Sequence, residues 1–243
     1  MAEAERLPAG RAELECEKGW VFAMLMFTGG FYGAYTYSVR GGVFCNAQTA
    51  NFVLFAMALG NARWAQAGYY LIPMSAYLLG AVISEAAAGP FRRMGPMRWD
   101  TFLVGFEILV VLLLGFLPES APYQISQVAI NFICSMQYNT FRQTRDIPMA
   151  TTFCTNHVRQ MGVSIVRVCR HREDVKARRK LLTHLGMLGV FTAGGVLSAV
   201  LCRFLLGRAI WGALLPLGIV FADLLHADLC QERGARDRIP RGH

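Results

Sequence analysis

The chain has 243 residues, of which 54% are hydrophobic and 16% charged, with a mean hydropathy of +0.36 and a net charge of +8. Soluble domains are about a quarter charged, so this composition excludes an ordinary soluble protein and indicates an integral membrane protein. The basic residues lie in loops between apolar segments, as membrane topology requires, and no nucleic-acid partner is expected.

The N-terminal eighteen residues carry five glutamates and lack the basic start of a secretory signal. We therefore predict a cytoplasmic N-terminal tail over residues 1–18, a membrane domain over 19–229 and a basic C-terminal tail over 230–243. The seven cysteines are odd in number and form no C-x-x-C pair. This pattern predicts small buried hydrophobes and no disulfide or zinc framework.

Eight apolar segments follow in chain order. They cover residues 20–37, 43–59, 67–88, 101–117, 123–141, 149–166, 181–206 and 209–225. Their lengths are near the ~20 residues that a helix needs to cross a hydrocarbon core of ~30 Å. The sequence therefore predicts an all-α, polytopic transmembrane helical bundle.

An internal repeat relates the two halves of the chain. Each half holds four apolar segments, and Thr155 follows Thr49 by 106 positions within similar polar stretches. The same offset places Tyr138 on Tyr32. We predict a first repeat over residues 19–118 and a second over 122–226.

The distribution of Lys and Arg discriminates between two topologies. If all eight segments span and the N-terminus is cytoplasmic, Arg92, Arg98 and Arg142 face outward, against the positive-inside rule. If the second and sixth segments are short polar elements that enter and leave on one side, six segments span and these residues become cytoplasmic. Three spans per half invert the second repeat relative to the first, as in many transporters. We favour six spans with both termini cytoplasmic, and eight spans is the alternative.

The two repeated polar stretches are the first candidates for a working centre. Polar side chains inside apolar segments cost free energy unless partners are supplied. The candidate residues are Asn46, Gln48, Thr49 and Asn51 in the first stretch and Thr155, Asn156 and His157 in the second. Gly41 and Gly42 would let the backbone break before the first stretch. These residues either bind a solute or only join helices by hydrogen bonds.

Three further polar residues lie within apolar segments. Glu107 stands in the middle of the fourth segment, where a carboxyl group is costly unless neutral or paired. Gln137 and Asn139 cannot share a helical face, so one of them is expected to face a cavity. His157 could carry protons because its ordinary pKa lies near neutrality, although a packing role is the simpler alternative. Glu107 likewise has a structural ion pair as its alternative.

Sequence motifs of soluble enzymes do not occur, and no second ligand lies at metal-binding spacing from His157. We therefore expect no enzymatic activity, no cofactor and no metal site. The Arg167–Lys180 loop is dense in basic residues. It is expected to anchor the cytoplasmic side and to contact anionic lipid headgroups.

Stretches in both halves of the chain resemble the YoaK family of bacterial membrane proteins. In the first half they are GGFYGAYTY (29–37) and RGGVFCNAQTAN (40–51), and in the second half FICSMQYNTFR (132–142) and ATTFCTNHVR (150–159). The resemblance covers residues 19–206. It implies a membrane fold and a bacterial inner-membrane location, and it supplies no substrate.

The chain departs from the family pattern in both halves. The family carries Asp where this chain has Gly33, and Thr-Gly-Asn where it has Thr49-Ala50-Asn51 and Thr155-Asn156-His157. Losing an intramembrane carboxylate removes a proton or cation ligand, so the resemblance implies altered or reduced activity. With Gly33 in that place, Glu107 becomes the main central carboxyl group.

Two functions from different classes follow from these observations. The first is a secondary carrier or channel-like permease for a small polar solute or ion, with the polar stretches lining its site. The second is a non-transporting membrane scaffold or regulatory protein, in which the same residues only lock helices together.

Overall fold

The computed structural model describes residues 13–94, 97–144, 146–232 and 238–240. The α-helices are α1 (Gly19–Val39), α2 (Gln48–Gly60), α3 (Trp64–Met94), α4 (Trp99–Leu114), α5 (Tyr123–Thr140), α6 (Thr155–Arg170), α7 (Val175–Leu205) and α8 (Leu214–His226). Further helical turns are 3-10 (Glu15–Glu17 and Leu206–Ala213) and π (Ala227–Gln231). Strands β1 (Gln143–Thr144) and β2 (Ile147–Pro148) pair antiparallel. The expected all-α class is confirmed.

The second and sixth apolar segments each begin with non-helical chain. Helix α2 begins at Gln48, five residues after the start of its apolar segment, and α6 begins at Thr155, six residues after the start of its own. We call residues 40–47 the first break, and residues 141–144 together with 146–154 the second break. Gly41 and Gly42 have φ angles of 81° and 70°, a conformation that favours glycine, and they end α1 as the sequence suggested.

Hydrogen bonds define two ends of the bundle. At the first end, the Arg98 N–H donates to Asp228 (2.9 Å), and its guanidinium lies 3.6 Å from Cys16. At the second end, Arg40 lies 3.5 Å from Glu119, which accepts the Gly207 N–H (2.8 Å). Since these residues flank the helices, α1, α4 and α7 run from the first end to the second, and α8 runs back.

Helices α3 and α5 also run back, from the second end to the first. Near their starts, Gln127 of α5 donates to the Tyr69 hydroxyl of α3 (2.5 Å). Near their ends, the hydroxyls of Ser84 and Thr140 lie 3.2 Å apart, and Trp99 donates to Thr140 (3.0 Å). The short helix α2 leads from the first break to the second end, and α6 leads from the second break to the first end.

Glycines allow the long helices to approach closely. Helix α1 packs along α7, where Gly30 lies against the Phe191 backbone and Gly194 against the Phe27 backbone. Helix α5 packs along α3 in the same way, with Gly80 against the Phe132 carbonyl. Helices α4 and α8 pack on each other. Small residues at such crossings are typical of helix pairs in membranes.

Two helical stretches, Trp64–Phe91 and Val175–Gln231, are long and apolar enough to cross a membrane. By length and composition they are compatible with membrane association. Large apolar side chains point outward, such as Phe204 (77% exposed) and Leu215 (73%), whereas Gln127 and Asn131 are fully buried. Fully buried amides are uncommon in soluble domains, and here they lie beside a buried apolar core.

Of the predicted tails, residues 1–12, 233–237 and 241–243 lie outside the described residues, and the predicted loop lies within them. Glu15, Cys16 and Glu17 of the predicted N-terminal tail are buried against the bundle. The predicted Arg167–Lys180 loop is mostly helical, and only residues 171–174 connect α6 to α7.

Candidate functional site

The two breaks meet at the middle of α1. Asn46 of the first break donates to the Gly29 carbonyl (2.9 Å). The second break lies against the same glycine, since a Cβ atom there would come 2.5 Å from the Thr151 carbonyl oxygen and 3.0 Å from the Thr152 Cα. Gly29 is ten residues from the start of α1, about 15 Å along its axis. Chain from both halves therefore converges halfway between the two ends.

Amide side chains hold the first break in place. Asn51 accepts from the Phe44 N–H (3.3 Å) and donates to the Phe44 carbonyl (2.6 Å), which ties α2 to the break. Gln48 donates to the Asn131 side chain of α5 (2.8 Å). The amides of Asn46, Gln48 and Asn51 thus join the break to α1 and α5.

The second break carries a related contact. His157 bonds through Nε2 to the Ala150 carbonyl (2.8 Å), again from the helix to a residue seven positions earlier. Ala150 and His157 follow Phe44 and Asn51 by the 106 positions that relate the two polar stretches. A side-chain bond to the carbonyl seven residues earlier therefore occurs in both breaks, with different side chains.

A buried polar cluster lies beside the meeting point. Tyr32 and Glu107 are both fully buried, and the Tyr32 hydroxyl lies next to the Glu107 carboxyl group without making a hydrogen bond of ordinary geometry. The thiols of Cys45 and Cys134 lie 3.9 Å apart and near the same carboxyl group. A buried carboxyl group is costly unless it is neutral or paired, and the Tyr32 hydroxyl is the polar group beside it.

Further unpartnered groups follow the same face of α1. Leu25, Gly29 and Tyr32 lie on successive turns, over about 10 Å of the helix. Gln137 donates to the Leu25 carbonyl (3.3 Å), and Thr151 lies against Gly29. Within the described residues, several buried polar atoms here have no hydrogen-bond partner: Tyr32 Oη, both Glu107 oxygens, Gln137 Oε1, Thr151 Oγ1 and Thr152 Oγ1. Buried polar atoms are nearly always bonded, so this face has unused capacity for a ligand or water.

Four of the sequence-predicted residues lie away from this centre. Thr49 and Thr155 are exposed on the first turns of α2 and α6. Asn156 is half-buried and accepts from Arg159 (3.4 Å). Asn139 lies at the first end, where it donates to Glu85 (3.1 Å).

Sequence reasoning missed several residues of the centre and its surroundings. Asn131 and Gln127 share a face of α5 at i,i+4 spacing, and this amide pair within an apolar segment was a usable signal. His184 lies 3.0 Å from His157, nitrogen to nitrogen, although it belongs to another helix 27 residues later. Thr151 and Thr152 gave no signal, because their role depends on where α6 begins.

Charged clusters close both ends of the bundle. At the first end, Arg98 is 3% exposed and pairs with Asp100 (3.1 Å). Burial raises the pKa of the neighbouring Cys16 thiol, and the Asp100 charge adds to this shift. At the second end, Arg40 is 1% exposed and donates to the Tyr35 hydroxyl (2.9 Å). Both arginines hold chain segments together close to the surface of the bundle.

A cleft of about 490 Å³ opens between α1 and α7 beside the first break. It is lined mainly by small and apolar residues, with Asn46 at its inner side. In the part of the chain that the structure describes, no group of three or more His, Cys, Asp or Glu side chains could hold a metal ion.

A family model described as a protein of unknown function, DUF1275, matches residues 21–222. The chain belongs to the DUF1275 family. The match confirms that the chain belongs to an uncharacterised family, as the resemblance implied. It does not confirm the family name YoaK. No curated protein and no solved structure matches the chain.

Gly33, where the resemblance to the YoaK family implies an aspartate, lies beside the first break in this DUF1275 protein. A Cβ atom at Gly33 would come 2.8 Å from Asn46 Nδ2. An aspartate at this position would therefore face the amide that holds the first break to α1.

Proposed function

We propose that this DUF1275 protein is a six-span inner-membrane protein with inverted repeats that acts as a secondary carrier or channel-like permease for a small polar solute or ion. It acts without enzymatic chemistry, and both of its termini are cytoplasmic. The convergence of the two breaks on α1, beside buried polar atoms that have no partner, is the observation that carries this proposal. Carrier sites commonly lie near the midplane, between interrupted helices of two repeats.

The order and packing of the helices support the repeat. If helices α1–α4 are matched in order with α5–α8, α1 corresponds to α5 and α7 corresponds to α3. The α1–α7 contact then corresponds to the α5–α3 contact, and the α4–α8 contact corresponds to itself. The hydrogen bonds at the ends of α4 and α8 correspond in the same way. Asp228, after α8, accepts the N–H of Arg98, before α4. Glu119, after α4, accepts the N–H of Gly207, before α8. Breaks that enter from opposite ends are what an inverted repeat would produce.

The basic residues support the orientation. Exposed cations concentrate at the first end, where α6 ends and α7 begins: Arg167, Arg170, Arg172, Lys176, Arg178 and Arg179. The positive-inside rule makes this end cytoplasmic. We propose that the same residues contact anionic lipid headgroups, at about 1 kcal/mol per residue.

A specific observation favours the alternative, a non-transporting scaffold or regulatory protein. The amides of Asn46, Gln48 and Asn51 all find partners within the chain, as expected of residues that only join helices. The carrier proposal therefore depends on the unpartnered groups, above all on Glu107.

A solute screen with the purified protein, scored by thermal stabilisation, separates the two functions. A ligand at 100 times its Kd stabilises the folded state by about 2.7 kcal/mol, which would raise the Tm by roughly 5–10 °C. We expect a polar solute or ion to stabilise the wild type. The Glu107→Gln variant should lose this response, whereas Glu173→Gln, at an exposed loop position, should keep it.

Thiol access gives the second readout. Cys45 and Cys154 lie in the two breaks, and variants that keep one of them as the single cysteine report on access from water. A permease should let a membrane-impermeant reagent reach at least one of them, and the solute should slow that reaction. If neither thiol reacts from either side and no solute stabilises the protein, the carrier proposal fails and the scaffold remains.

A further inference from the structure

Two histidines form a buried pair between the second break and α7. His157 is the third residue of α6, and His184 lies within α7, and both side chains are fully buried. Their Nδ1 atoms are 3.0 Å apart. His157 Nε2 bonds to the Ala150 carbonyl (2.8 Å), and His184 Nε2 has no hydrogen-bond partner within the described residues.

This geometry fixes where the hydrogens are. A carbonyl oxygen can only accept, so Nε2 of His157 carries a hydrogen. The Nδ1 atom of a neutral His157 ring is then an acceptor, and His184 must donate to it from its own Nδ1. The remaining ring nitrogen, Nε2 of His184, is a bare lone pair, buried and without a partner.

Charged groups on the neighbouring elements act on the pair. Among them, Lys180, one turn earlier on α7, is close enough for its charge to act on the His184 ring. The described titratable residues of the elements packed here are Arg142, Asp146 and Cys154 in the second break, Arg159, Arg167, Cys169 and Arg170 on α6, Lys176, Arg178, Arg179, Lys180, Cys202 and Arg203 on α7, Tyr32, Tyr35 and Tyr37 on α1, and Arg208 in the 3-10 helix after α7. Within the described residues, the one carboxylate on these elements is Asp146, which is exposed in the turn between β1 and β2. No buried carboxylate on them balances a protonated ring, which favours the neutral pair in this conformation.

We propose that the His157–His184 pair is the proton-binding site of the protein and that the proton is its coupling ion. The inference rests on the proposed carrier function. A hydronium ion gives its proton to the His184 Nε2 lone pair: one O–H bond breaks, one N–H bond forms, and a water molecule leaves. The positive charge is then shared across the Nδ1–H···Nδ1 hydrogen bond, which strengthens as a charge-assisted bond.

The position of the pair links this proton to the conformation of the second break. His157 bonds to Ala150 within the break, and His184 belongs to the long helix α7. Protonation therefore tightens the contact between the break and α7, and release of the proton loosens it. Since the break meets the first break at Gly29, the proton acts on the same element that borders the proposed solute site.

Nitrogen-15 NMR of the histidine-labelled, full-length protein in nanodiscs tests proton binding without any solute. The chain has five histidines. Replacing His171, His226 and His243 by Gln leaves His157 and His184 as the only histidines in the protein. We expect one ring in the Nε2–H form and the other in the Nδ1–H form at high pH. On acidification the two rings should take up one proton in a joint transition.

The His184→Asn variant is the matched control. Its amide can still donate to His157 Nδ1, but it lacks the second ring nitrogen, so the protein should stay folded and the joint transition should disappear. Two rings that titrate independently, identical tautomers, or the absence of proton uptake down to the pH of unfolding would each overturn the proton site.

Transport separates this proposal from the carrier proposal. With a solute from the screen, an inward proton gradient should accelerate uptake into proteoliposomes by the wild type and have no effect on His184→Asn. Uptake by the wild type that ignores the gradient overturns the coupling while the carrier stands. If the pair titrates as described but the protein transports no solute, the carrier proposal is wrong. The proton then has no role as a coupling ion.

Discussion

Removing the Asn51 side chain should release the first break from α2. Asn51 is fully buried and bonds both backbone groups of Phe44, at 3.3 Å and 2.6 Å. Asn51→Ala leaves a backbone N–H and a carbonyl without these partners. Each buried group left unsatisfied costs about 1–3 kcal/mol, and because Phe44 is only half-buried we expect about 1–2 kcal/mol for each of its two groups. The variant should therefore lose about 2–4 kcal/mol of stability.

Thermal unfolding of the purified protein measures this loss. For a chain of this size, 1 kcal/mol corresponds to roughly 2–4 °C in Tm, so a decrease of about 5–15 °C is expected. Asn61→Ala is the control, since Asn61 bonds the Met57 carbonyl (2.7 Å) at the exposed end of the same helix. Its Tm should change by no more than about 2 °C, because exposed sites contribute within about 0.5 kcal/mol. Equal losses in the two variants would refute the role given to Asn51.

Three further outcomes are expected. Gly194→Ala places a methyl group against the Phe27 backbone and should destabilise the folded protein by about 1–3 kcal/mol in the same unfolding assay. Gly189, five residues earlier, has open space around it, so Gly189→Ala should stabilise the protein by up to about 1 kcal/mol. Arg40→Gln should lower the Tm, because its 1%-exposed guanidinium bridges Tyr35 and Glu119, and an unchanged Tm would mean that this end is not closed by charge. The Cys16 thiol, with its raised pKa, should react with a thiol reagent at least tenfold more slowly than exposed Cys169, and similar rates would contradict its burial.

The sequence predicted where the apolar segments are interrupted and which polar residues lie within them. It did not predict which contacts those residues make. Gly41 and Gly42 mark the end of α1 because left-handed backbone favours glycine, and Glu107 is conspicuous because an acid rarely occurs within an apolar run. Thr49 and Thr155 look equivalent to their polar neighbours in the sequence. The residue at which α2 and α6 begin turns them outward, and composition does not fix that residue.

Contacts between distant parts of the chain were beyond the reach of sequence patterns. His184 follows a run of basic residues and looks interfacial, yet α7 carries it to the His157 ring. Arg98 and Asp228 are 130 residues apart, and each is unremarkable in its own segment. Their meeting depends on how α4 and α8 pack, which local periodicity does not report.

The sidedness of two loops tests the proposed topology most directly. Arg63 lies between α2 and α3, and Arg172 lies between α6 and α7, and both are exposed. Single-cysteine variants Arg63→Cys and Arg172→Cys in a cysteine-free protein can be labelled in intact cells with a membrane-impermeant reagent. Six spans with two breaks place these residues on opposite sides, so Arg63→Cys should label from outside and Arg172→Cys only after the cells are opened. Eight spans place both on the same side, and labelling of both variants from one side would contradict the inverted six-span account.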